Sequence, residues 1–61
     1  MSFGKTLRDA RQRRGYTQER LSKLSNVSVN TIIRIENGGD ITTLITAELL
    51  CRTLGIKYTI G

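Results

Sequence analysis

The sequence predicts an all-α domain of four short helices, the second and third joined by a tight turn, closed by one short β-strand. Three observations predict it. Apolar residues recur at helical spacing through most of the 61-residue chain, and no proline interrupts them. Residues 17–38 hold two amphipathic segments that begin alike. Thr17 is a hydroxyl N-cap preceded by Tyr16 and followed four residues later by Leu21; Ser28 is one preceded by Val27 and followed four residues later by Ile32. Each combines an N-cap with a hydrophobic staple, which fixes where a helix starts and the angle at which the chain enters it. Beyond Gly55 the period changes: Ile56, Lys57, Tyr58, Thr59 and Ile60 alternate apolar and polar, as a half-buried strand does.

The first helix is expected from residue 2 or 3 to residue 14. Phe3, Leu7 and Ala10 stand at i, i+4 and i+7 on one apolar stripe. Gly15 ends it in a left-handed conformation, and Arg13 and Arg14 lie in the last turn, where the helix dipole favours cations. The second helix is expected from Gln18 to about Ser25, followed by a tight joint at Asn26 and Val27. The third runs from Val29 to about Asn37 and stops at Gly38 and Gly39. A loop through Asp40 and Ile41 leads to a fourth helix capped by Thr42 or Thr43. Its Leu44, Ala47, Leu50, Cys51 and Leu54 keep helical spacing on one side, and Gly55 is its stop signal.

The terminal strand has no partner in this chain, because no other segment reads as a strand. An unpaired apolar edge invites pairing with another chain. Residues 56–60 are therefore expected to pair antiparallel across the two-fold axis of a homodimer. Ile56, Tyr58 and Ile60 would then lie on the fourth helices while Lys57 and Thr59 face water. A frayed tail is the alternative.

Size and charge narrow the class. The chain is one domain over residues 1–61. A domain this small buries only about 60% of its unfolded surface, and oligomerisation is a common remedy. Cys51 is its only cysteine and there is no histidine, so neither a disulfide nor a metal set is implied; Cys51 is expected to be a small core residue. No apolar run approaches the roughly 20 residues of a membrane helix, and a cytoplasmic location is expected. The net charge is +5 and the isoelectric point near 10.2. Seven of the ten basic residues are arginine, and five basic residues crowd residues 5–14. That balance favours a polyanionic partner over simple solubility. An enzyme is not expected: the five carboxylates form no acid–base set, and there is no phosphate-binding glycine loop.

Residues 17–38 resemble the helix-turn-helix of the Xre/Cro–repressor family. The matching features are Thr17-Gln18, Leu21 and Leu24, Val27-Ser28, Ile32 and Ile35, and Glu36-Asn37-Gly38, in that order and spacing. The likeness extends upstream through Leu7 and Arg11 and downstream to Leu54-Gly55. It implies a lambda-repressor-like four-helix domain that binds double-stranded DNA. Thr42-Thr43-Leu44, Leu50, Leu54 and the closing strand are also similar to DNA-binding antitoxins of the Hip type, in which the terminal strands of two subunits pair.

The resemblance assigns roles to particular residues. Val29, Asn30, Thr31 and Arg34 would face base edges, and their chemistry fits. Asparagine can bond adenine N6 and N7, arginine can fork onto guanine O6 and N7, and valine or threonine can pack on a thymine methyl. Gln18 would lie over a phosphate at a helix N-terminus. Arg20, Ser28 and Asn37 are further phosphate candidates, although Ser28 can serve as a cap alone. Lys5, Arg8, Arg13 and Arg14 read equally well as a solvated helix face. Arg11 and Glu36 match positions that form an ion pair between the first and third helices. Ile33 stands one step off the apolar face of Ile32 and Ile35; it touches a thymine methyl, extends a subunit contact, or is merely tolerated. The expected function is a dimeric, sequence-specific repressor on a pseudo-palindromic operator, with no cofactor. The alternative is an antitoxin that binds its own operator and a protein toxin. The absence of a longer tail after Gly61 favours the repressor.

Overall fold

A computed structural model describes residues 3–39 and 44–56. It contains α1 (Phe3–Arg13), α2 (Gln18–Ser25), α3 (Val29–Glu36) and α4 (Leu44–Leu54), with no strand among the described residues. The four expected helices are present, and the starts of α2 and α3 follow the capping chemistry. Thr17 Oγ1 accepts the Arg20 N–H at 3.0 Å, and Ser28 Oγ accepts the Asn30 N–H at 3.2 Å. Leu21 and Ile32, the fourth residues after those caps, are fully buried, as a staple requires.

Helices α1, α3 and α4 end in the same way. The amide after each terminal glycine reaches back five residues: Tyr16 to Arg11, Gly39 to Arg34, Ile56 to Cys51. The glycine amides reach back three, to Gln12, Ile35 and Arg52. Gly15, Gly38 and Gly55 all have positive φ, the Schellman arrangement that satisfies the last helical carbonyls.

The core draws on every helix. Leu7 of α1, Leu21 of α2, Ile32 and Ile35 of α3, and Leu50 and Leu54 of α4 are the fully buried side chains. Each such residue contributes about 1.5–3 kcal/mol relative to leaving it exposed. Helix α1 packs on α3 and α4, and α2 packs on α3 and α4, so α3 is held from two sides. Cys51 lies in this core as expected, and burial pushes its thiol pKa up.

Gly4 sits inside α1 and is buried. A Cβ at this position would collide with the Ile35 carbonyl oxygen and come within 3.3 Å of Glu36 Cα. The missing side chain lets the backbone of α1 press directly against the end of α3.

One expectation is corrected. Leu44 is 62% exposed, while Ala47, Leu50, Cys51 and Leu54 are buried. Helical spacing defines the line of the stripe but not how far along it the opposing helices reach, and Leu44 lies beyond that reach. The loop through Asp40 and Ile41, the cap at Thr42 or Thr43, and strand residues Lys57, Tyr58, Thr59 and Ile60 lie outside the described residues. Ile56 is described: it packs against the core, half-buried.

Candidate nucleic-acid interface

The joint between α2 and α3 is built from short polar side chains. Asn26 adopts the left-handed conformation with φ of 62°, and its N–H bonds Ser22 O at 2.9 Å. Asparagine tolerates this region better than other residues with a Cβ. Ser25, only 3% exposed, donates to Leu21 O at 2.7 Å and accepts the Val27 N–H at 3.3 Å. Ser22 Oγ donates to Val27 O at 2.6 Å. With Val27 buried and Ser28 capping α3, both ends of the joint are tied down. Sequence reading found Asn26, Val27 and Ser28 but missed Ser22 and Ser25. Their signal was serine recurring every third residue across the end of a helix.

A buried charge fixes the other end of α3. The Glu36 side chain is 1% exposed. Arg11 grips it with two bonds, Nε to Oε2 at 2.7 Å and Nη2 to Oε1 at 3.0 Å. Gln18 Nε2 donates to Oε1 at 3.2 Å, and Arg8 Nε lies 3.6 Å from the same oxygen. Arg11 Nη1 also donates to Tyr16 O at 2.8 Å. One carboxylate thus joins α1, the α1–α2 connection, the start of α2 and the end of α3. The hydrogen bond to Glu36 raises the Arg11 pKa above its usual value; burial opposes this, and the attraction of Glu36 and then Glu19 adds to it.

With both ends held, α3 shows one open face. Asn30, Ile33, Arg34 and Asn37 are exposed. At 3.6 residues per turn they fall within about 100° of arc. Val29 and Thr31 flank that face and are half-buried, and Ser28 is exposed at its start. Gly39 adds a detail the sequence did not disclose: a Cβ there would stand 2.7 Å from Arg34 Cγ and 2.8 Å from Arg34 O. Its absence leaves room for the Arg34 stem.

The structure therefore brings Arg11, Gln18 and Glu36 together and places Asn30, Arg34 and Asn37 on one face. Arg20 is exposed in the first turn of α2. The basic residues of α1 and of the turn that follows it divide. Arg8 is drawn towards Glu36, whereas the Arg14 guanidinium lies over Gly55 at the end of α4. There Ala10, Arg13, Leu54 and Ile56 complete a shallow depression. A cation at that position complements the C-terminal dipole of α4.

Among the described residues, no helix is long and apolar enough to cross a membrane. A family model described as helix-turn-helix matches residues 7–60. Comparison with curated proteins and with solved structures gives no match in either.

Proposed function

Because the chain belongs to the Xre/Cro-type helix-turn-helix family of DNA-binding transcription regulators, we propose that it is a dimeric repressor that occupies a pseudo-palindromic operator through α3. The observation that carries this reading is the open face of α3, polar and cationic, on a helix locked at both ends. A helix held in this way can enter a major groove without reordering. Arg34 forks onto guanine, Asn30 bonds adenine, and Val29 and Thr31 pack on thymine methyls at the edges. Arg20, Ser28 and Asn37 meet phosphates. Gln18 already gives one amide hydrogen to Glu36. It meets a phosphate with its second amide hydrogen and with the N–H groups at the start of α2.

Dimerisation runs through residues 56–60, paired antiparallel with the same segment of a second copy. Two α3 helices then enter successive major grooves about 34–36 Å apart. In vitro selection of random duplexes tests this directly. The expected product is a site with dyad symmetry and half-sites one helical turn apart; an asymmetric site, or none, contradicts it. A dimer carrying twice the +5 of one chain is expected to neutralise on the order of 6–10 phosphates. Its affinity should then fall about 10³–10⁵-fold between 50 and 200 mM salt. Deleting residues 57–61 is expected to give a monomer by sedimentation that binds the selected site weakly; a truncated protein that stays dimeric removes the strand from the interface.

A further inference from the structure

We propose that Ile33 is a specificity-determining residue that recognises the 5-methyl group of a thymine in the major groove. The inference rests on the DNA-reading function of α3. Ile33 is 37% exposed. Its position on α3 decides between the three roles that the sequence left open. The exposed residues sharing its arc are Asn30, Arg34 and Asn37, and the nearest residue one turn earlier is Val29. An interface between subunits has a core depleted of charge, and this face carries an arginine and two amides instead. Such a face suits base edges and phosphates. Ile33 cannot leave it: when α3 enters a groove, an isoleucine enters beside Asn30.

That isoleucine needs an apolar partner there. Base edges in the major groove offer donors, acceptors and a single kind of apolar group, the thymine methyl. Val29 and Ile33, at i and i+4, form a continuous apolar edge beside the polar centre of the face. The arrangement assigns hydrogen-bond readout to Asn30 and Arg34, and methyl readout to that edge. It also explains why an exposed β-branched apolar residue is compatible with this helix: its burial is deferred until DNA is bound.

The test uses the full chain and the duplex it selects. Each thymine of the selected half-site is replaced in turn by uracil, which removes only the methyl group. The wild-type protein is expected to lose about four-fold in affinity at one position, the effect of one buried methyl. Ile33→Ala is expected to melt as the wild type does, to bind the thymine duplex about as weakly as the wild type binds the uracil duplex, and to be indifferent to uracil at that position. Ile33→Val should retain part of the discrimination. The proposal is overturned if uracil is neutral everywhere, or if Ile33→Ala shows the same uracil penalty as the wild type. It is also overturned if Ile33→Ala dissociates the dimer while methyl discrimination persists. A wild-type protein that selects no sequence at all would instead remove the DNA-reading function itself.

Discussion

On α3, Ile32, Ile35 and Glu36 turn inward and are buried, whereas Asn30, Ile33, Arg34 and Asn37 turn outward and are exposed. Both faces ride on the same eight-residue helix and its C-cap, Asn37. The inward face fits the core, and its one charge is neutralised by Arg11. The outward face mixes polar, cationic and apolar side chains in a combination that suits no protein core. An isolated helix of this length would be marginal in water, so the order of the outward face derives from the contacts of the inward one. Substitutions on the inward side should therefore change stability and affect binding to all DNA alike. Those at Asn30, Ile33 and Arg34 on the outward side should leave stability alone and change which DNA is bound.

The largest expected effect is on the inward side. Glu36→Ala strands the Arg11 guanidinium and should cost about 3–5 kcal/mol in chemical denaturation. Replacing both partners with apolar residues of similar size should be much less harmful, because no unpaired charge remains. A double-mutant cycle showing no coupling would break the comparison at its strongest point. The sign of the pH dependence follows from Arg11. A cation whose pKa is raised on folding contributes stability that is fully present below the unfolded value and is lost only as the pH climbs through the folded one. The Arg11 contribution should thus be constant through neutral pH and vanish only in strong alkali.

Gly4→Ala is the next test. Helix propensity alone favours alanine by about 1 kcal/mol. Contact with the Ile35 carbonyl opposes it, and that atom is backbone that cannot swing aside. A net loss of about 1–3 kcal/mol in thermal or chemical denaturation is expected; a gain would mean that α1 and α3 are not in direct backbone contact. Smaller still, Thr17→Ala and Ser28→Ala should each cost about 1 kcal/mol through the lost cap. On the outward side, Asn30→Ala should change stability by no more than about 0.5 kcal/mol. A larger loss would blur the division between the faces.

Much of this was legible in the sequence because it depends on local chemistry. Thr17 and Ser28 mark helix starts wherever they are followed by a buried fourth residue, and Gly15, Gly38 and Gly55 mark the ends. What was not legible depends on what lies opposite. Gly4 carries no signal in the sequence for the Ile35 carbonyl that lies against it. Gln18 read as a phosphate contact, and the fold also gives it a partner in Glu36. Leu44 continued an apolar stripe past the point where other helices meet it. Ile33 carried no decisive signal, because its meaning comes from the company it keeps on the surface of α3.

The most direct test of the division between the faces is Arg34→Ala, titrated against the selected duplex and against random duplex, with a melting curve alongside. The expected result is unchanged melting, a loss of about 1–3 kcal/mol on the selected duplex, relaxed preference at one base position, and little change on random DNA. Equal losses on both duplexes would show that Arg34 meets only phosphate and would contradict base readout by the outward face of α3.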